Sequence, residues 1–308
     1  MKRKAGSVDL RHLDTEKTNA ASASLDRKSS LEIVRIINFE DSKIARAVER
    51  ALPQIAQAID LIASALAKGG RLIYVGAGTS GRIAALDAAE CPPTFNTDRK
   101  LVQFVIAGGR RALAAAVEAN EDSLQLGRQE IAKKKPGKND VVVGIAASGR
   151  TPFTVAALEY ARARGAQTVA VTGNRHSPLE KAAHVAIVAS VGPEVIAGST
   201  RMKVGTAEKM ILNMLSTGVM TRLGYVYGNL MVNVHLKNQK LAERGRAILA
   251  QTTRLDHKRA RKLLAVAGNR VAVALVMAKA GVSVADAVDA LNQSGGHVRK
   301  AIALARSM

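Results

Sequence analysis

Between residues 72 and 188, five short apolar runs alternate with alanine-rich segments of helical periodicity, and this alternation leaves few folds open. The runs are Leu72–Val75, Val102–Ile106, Val141–Ala146, Thr168–Val171 and Val185–Val188. Each is nearly continuous in β-branched and other apolar residues, the pattern of strands covered on both faces. The segments between them, about 83–90, 111–133, 153–164 and 177–183, read as helices. A β-α-β-α series of this kind predicts an α/β protein: a doubly wound, five-stranded parallel sheet flanked by helices.

The flanks read differently. Residues 1–30 are polar and form an irregular arm. Over 31–68 apolar residues recur at helical spacing (Ile33, Ile36, Ile37, then Ile55, Ile59, Ile62, Leu66), with Pro53 opening a new helix and Gly69-Gly70 ending it. After the fifth run, Thr206–Leu223 and Asn229–Gln251 read as two long helices. From Leu255 the segments shorten to 256–267, 269–280 and 284–292 plus a tail helix, with Ser283 and Asp286 forming a capped start. The expected division is an arm (1–30), an α/β domain (31–252) and a small three-helix domain (253–308).

Composition excludes several classes of function. Lys and Arg outnumber Asp and Glu 46 to 25, a net charge of +21, but the excess is spread along the chain and only Lys133-Lys134-Lys135 is a compact run. Aromatics are 3% with no Trp, so base stacking has little material. The basic surface favours anionic metabolites without specific nucleic-acid binding. No run of about 18 apolar residues exists to cross a membrane, and the start, Met1-Lys2-Arg3-Lys4, lacks a secretory signal's apolar stretch. The single cysteine, Cys91, fits a reducing cytoplasm and reads as a packing residue. The six His are scattered without metal-ligand spacing, and no metal or organic cofactor is expected.

Chemistry concentrates where strands hand over to helices. The first run leads into Gly76-Ala77-Gly78-Thr79-Ser80-Gly81, formally G-x-G-x-x-G. A dinucleotide would require an acidic residue at the end of the second strand, and Ile106-Ala107-Gly108-Gly109 supplies none. Hydroxyls fill the loop instead. Ala147-Ser148-Gly149-Arg150-Thr151-Pro152 repeats the arrangement after the third strand, and Gly198-Ser199-Thr200-Arg201-Met202-Lys203 adds hydroxyls and two cations. Two such loops at neighbouring strand ends, each opening a helix whose N–H groups are free, form a cradle for one phosphate monoester. Gly78, Thr79, Ser80, Gly81, Ser148, Gly149, Thr151, Ser199, Thr200, Arg201 and Lys203 are the candidate binding residues.

These motifs, GAGTSGR (76–82), LDAAECPPTF (86–95), VEANED (117–122), GIAASGRTP (144–152) and GSTRMKVGTAEKMILNMLSTG (198–218), resemble those of the N-acetylmuramic acid 6-phosphate etherases. The resemblance runs from about residue 14 to 302 and includes Thr15–Asn19 and Ile36–Asp41. It implies the sugar isomerase (SIS) fold, a homodimer, no metal, and a C-terminal helical domain of ubiquitin-associated-like shape. It also implies cleavage of a lactyl ether from a phosphorylated amino sugar by syn-type elimination and hydration.

Such chemistry needs two carboxyl groups, one protonated and one ionised. Spacing alone offers two pairs, Asp87 with Glu90 and Glu118 with Glu121, and does not choose between them. The resemblance puts the acid on Glu90 and the base on Glu121. Ala119-Asn120 stands where the family often has Gly-Ala. A sugar-phosphate-sensing regulator of the same fold is the main rival; it would need the phosphate loops but no acid–base pair. A DNA-binding regulator would need a basic reading helix ahead of the sheet, which residues 31–68 do not provide.

Overall fold

The computed structural model describes residues 13–234, 236 and 239–307; the basic start Met1–Lys4, His12 and His235 lie outside the described residues. The chain divides into two compact units, one holding the chain up to Ala88 with Val102–Leu215, the other Ala89–Leu101 with the chain from Ser216.

In the first unit, the arm makes three short 3-10 turns, Asp14–Glu16, Ala20–Ser22 and Leu25–Arg27. Helix α1 (Ser30–Asp41) opens on a capping box, the Ser29 hydroxyl accepting from Glu32 N–H while Glu32 accepts from Ser29 N–H. Helices α2 (Ile44–Glu49) and α3 (Leu52–Ala67) follow, α3 with Pro53 in its first turn and Ile55, Ala58, Ile62, Ala63 and Leu66 buried along one stripe.

The alternation then appears as expected: β1 (Leu72–Gly76), α4 (Gly78–Phe95), β2 (Val102–Ile106), α5 (Leu124–Ala132), β3 (Val141–Ile145), α6 (Pro152–Ala163), β4 (Gln167–Thr172), α7 (Pro178–Ala182), β5 (Val185–Val188) and α8 (Lys203–Arg222). The strands form one parallel sheet in the order β2-β1-β3-β4-β5. All five residues of β1 and of β3 are buried. Ile73, Val75, Val142, Phe153, Leu158 and Leu179 share one core cluster. Burying a side chain of that size stabilises by about 1.5–3 kcal/mol, so the centre of the sheet is its most firmly held part.

The segment 111–133 is not one helix. It breaks into 3-10 turns at Gly109–Leu113 and Glu118–Asn120 before α5. Gly108 and Gly109 both take positive φ (+83° and +63°), which turns the chain away from a helical path. Arg82 then donates to the carbonyls of Ala112 and Ala115, acceptors that a continuous helix would need for itself.

In the second unit, β6 (Val226–Tyr227) and β7 (Leu230–Met231) form an antiparallel hairpin around Gly228-Asn229, with Gly228 at φ +63°. Helices α9 (Gln239–Thr253), α10 (His257–Val266), α11 (Val271–Ala280), α12 (Val284–Gln293) and α13 (Val298–Ala305) follow. The single helix expected over Asn229–Gln251 is therefore a hairpin and a shorter helix. Val232, Ile248 and Leu249 enter the same core as Leu264, Val271, Leu275 and Ile302. That shared core, and the presence of Ala89–Leu101 in this unit, moves the division away from residue 252. Cys91 is 2% exposed, as a packing residue should be.

Candidate active site

Strand β1 sends the chain to β2 on one side, while β3 lies on its other side, so the direction of winding reverses between β1 and β3. Ligands of open α/β sheets bind beyond the carboxyl ends of the strands at such a point. Gly76 ends β1 level with Ile145 of β3, so the two hydroxyl-bearing loops leave the sheet side by side.

In the first loop, Gly78 takes φ +51° and opens α4. Thr79 is half-buried, and Gly81 anchors the turn through its N–H on the Ala77 carbonyl (3.0 Å). Ser80 is buried, its hydroxyl 2.9 Å from Glu208 Oε1 on α8. In the second loop, Ser148 Oγ accepts from Arg150 N–H (3.2 Å). Gly149 takes φ +67°, and a Cβ there would stand 2.4 Å from Ser177, so only glycine lets this loop pass α7 so closely. Thr151 occupies the N-cap position of α6, yet its side chain makes no capping hydrogen bond. By contrast, Ser177 at the start of α7 does cap, accepting from Glu180 N–H. Thr151 is thus not an ordinary cap.

Glu121 joins both loops. Its carbonyl accepts from Phe153 N–H (3.0 Å) in the first turn of α6. Its carboxyl group reaches Gly78, where an added Cβ would lie 3.1 Å from Oε1. Burial pushes this carboxyl above the usual carboxylate range; Glu118 and Asp122 add to the rise and Arg82 opposes it. Glu118 and Glu121 do not share a helix face, because Glu121 follows a 3-10 turn rather than lying within a helix.

The third loop holds the remaining candidates. Ser199 and Thr200 are half-buried and Arg201 is exposed. Lys203, expected to face an anion, is 1% exposed and paired with Glu40 Oε2 at 2.7 Å. Burial would push Glu40 up, but Lys203 and Lys43, with Asn19, hold it at about 2. Lys203 is therefore a strut between α1 and α8, and we exclude it from the binding set. The first two N–H groups of α8, those of Lys203 and Val204, donate to the buried Glu194 carboxyl at 2.9 and 3.0 Å. The arm braces this region: Gly198 N–H donates to Thr15 carbonyl (3.1 Å), and Ser22 Oγ to Val195 carbonyl (2.7 Å).

Glu90 lies near the end of α4, in the second unit, with its side chain exposed. Pro92 and Pro93 follow it within the helix and cannot donate to the carbonyls of Ala88 and Ala89, which loosens the turn that carries Glu90. Asp87, the other carboxylate of that segment, is buried and accepts from the Tyr74 hydroxyl at 2.8 Å.

Residues 54–162 match the glucokinase regulatory protein N-terminal SIS domain, and residues 134–217 match the SIS domain. An N-acetylmuramic acid 6-phosphate etherase of Clostridium beijerinckii is 46% identical over 296 residues, 96% of this chain and 97% of that one. The chain belongs to the N-acetylmuramic acid 6-phosphate etherase family. Another member, from Edwardsiella ictaluri, is 49% identical and covers 96% of this chain and 99% of its own length. Among solved structures, a phosphoheptose isomerase from Neisseria gonorrhoeae superposes with a TM-score of 0.50 at 18% identity, covering 63% of this chain and all of that one. At that identity the match speaks for the fold, which etherase-family membership and the parallel sheet support together.

Four residues of the site region escaped the sequence reading: Glu208, Glu194, Glu40 and Arg82. Each is a charge in a helical or loop segment, which reads as solvated until long-range packing is known. Only their place inside or beside family motifs hinted otherwise.

Proposed function

We propose that this chain cleaves the D-lactyl ether of N-acetylmuramic acid 6-phosphate with water, giving N-acetylglucosamine 6-phosphate and D-lactate. Membership of the etherase family supports the substrate. The observation that carries the chemistry is Glu121, whose raised, half-buried carboxyl joins the two hydroxyl-bearing loops.

The phosphate sits over the N-termini of α4 and α6, where backbone N–H groups with Thr79, Ser80, Ser148 and Thr151 supply donors. Gly78, Gly81 and Gly149 let the backbone approach, while Ser199, Thr200 and Arg201 bind from the third loop. In the open-chain sugar the C1 aldehyde acidifies the C2 proton. Glu121 removes that proton, and the electron pair forms the C2–C3 double bond as the C3–O bond breaks. Glu90 gives its proton to the departing ether oxygen, releasing lactate. Glu121, now protonated, and Glu90, now ionised, exchange roles as water adds at C3 and a proton returns to C2. The aldehyde is the electron sink, so the scheme assigns no metal or cofactor. We place this activity in a cytoplasmic homodimer serving cell-wall recycling and amino-sugar catabolism.

D-Lactate release from N-acetylmuramic acid 6-phosphate tests the reading. Glu90→Gln and Glu121→Gln should each lower kcat by about 10²–10⁴-fold, the ordinary span of general acid–base catalysis. Full activity in both variants, or no lactate from the wild type, would refute it. In ¹⁸O-water the label should enter C3 of the sugar; label in lactate would refute the elimination route. A sensing protein of this fold would bind the sugar phosphate and release no lactate.

A further inference from the structure

One buried acid behind the phosphate loop has no part in the scheme above. Glu208 lies in the second turn of α8, 2% exposed, with Oε1 2.9 Å from Ser80 Oγ and Oε2 buried without a hydrogen-bond partner among the described residues. The two helices approach closely here, a Cβ on Gly205 falling 3.4 Å from the Thr79 methyl. A carboxylate in this place would have one hydroxyl donor for two oxygens, whereas a neutral acid needs less. Burial accordingly pushes Glu208 up to about 8, against the Ser80 hydroxyl, which pulls it down.

Charged groups on α8, on α4 and in the loop before α8 are either paired elsewhere or exposed. On α8, Lys203 is held by Glu40 and Lys209 is exposed. On α4, Arg82 binds the Ala112 and Ala115 carbonyls, and Asp87 takes the Tyr74 hydroxyl. Arg201, in the loop before α8, is exposed.

We propose that Glu208 is a positioning residue whose neutral O–H donates to Ser80 Oγ, so that Ser80 turns its own proton toward the phosphate of the bound sugar. This rests on the sugar-phosphate reading of the loops. The 2.9 Å separation serves a proton running in either direction. With Glu208 neutral, the relay runs from acid to serine to phosphate, and every group in it donates toward the anion. With Glu208 ionised, Ser80 must give its proton backwards. The phosphate then meets an oxygen lone pair and a negative charge behind it.

The test is the pH dependence of KM, measured by D-lactate release with full-length protein from pH 7 to 9.5. That window lies above the second ionisation of a phosphate ester, near pH 6. Wild-type KM should rise about 10-fold across it. Glu208→Gln, whose amide can donate to Ser80 at any pH, should keep KM within about threefold of wild type at pH 7 and stay flat above it. Ser80→Ala should have a raised, equally flat KM, and it decides the matter if Glu208→Gln does not fold. The dissociation constant of N-acetylglucosamine 6-phosphate, read by calorimetry, should follow the same three profiles. A flat wild-type KM, or the same alkaline rise in the variants, overturns the role of Glu208. Loss of D-lactate release in the wild type with the calorimetric profiles intact would instead count against the etherase reading alone.

Discussion

Gly78 and Glu121 come together over the N-terminus of α4, the carboxyl oxygen lying 3.1 Å from where a side chain on Gly78 would begin. The absence of that side chain is what lets an acid stand so close to the turn that opens α4. Gly78→Ala would strain a backbone at φ +51° and push the Glu121 carboxyl aside by a few tenths of an ångström. Small displacements of a catalytic group are costly, a 1 Å error reaching 10²-fold. The expected result is a kcat lower by about 10-fold, with thermal unfolding changed far less than in a core truncation.

The pH profile should respond to charges around Glu121. A general base must be ionised, so kcat/KM falls as pH drops through its raised value. Arg82 pulls that value down and Glu118 pushes it up. Arg82→Gln should therefore move the acidic limb to higher pH, and Glu118→Gln should move it to lower pH. Shifts in one common direction would mean that another group governs the limb.

Thr151 offers a way to separate binding from folding. Its side chain does not cap α6, so Thr151→Val should change stability by less than about 0.5 kcal/mol while raising KM. Ser177→Ala, which removes a real cap, should cost about 1 kcal/mol with little change in KM. Urea unfolding and substrate titration of the two variants read both effects.

The Glu40–Lys203 pair makes a prediction about stability alone. Glu40→Ala leaves an ammonium 1% exposed without its partner, a loss of about 3–5 kcal/mol. Replacing both residues, Glu40→Leu with Lys203→Met, should recover most of it. Because Glu40 titrates at about 2 rather than 4.5, its contribution is present above pH about 4.5 and disappears as pH falls toward 2. The double variant should lack that acid dependence.

Glu208 acts with the opposite sign. Its folded-state value, about 8, lies above the ordinary 4.5, so the native protein holds a proton that the unfolded chain releases. Stability should fall as pH rises from about 4.5 to about 8. Glu208→Gln should not share this fall, and unfolding midpoints of the two proteins should diverge across that range.

The strands were legible because runs such as Val141–Ile145 are apolar on both faces, a local signal. The segment 111–133 misled because its composition is helical while its course is set by Arg82, about thirty residues earlier. The hairpin at 226–231 did carry a signal, Gly228-Asn229, a favoured two-residue turn that was outweighed by the periodicity after it. The pairing of Lys203 was not legible, since its partner, Glu40, is 163 residues away. The two hydroxyl-bearing loops were readable as strand-to-helix turns because their glycine and hydroxyl spacing is a local signal. Glu208 was not, since a glutamate within a helix looks the same buried or solvated.

Glu194 carries a last consequence, for the third loop. By meeting the Lys203 and Val204 N–H groups, it occupies the N-terminus of α8 from within the protein. That helix end is thus not open to a phosphate, and any anion held by the third loop must be met by its hydroxyls and Arg201 instead.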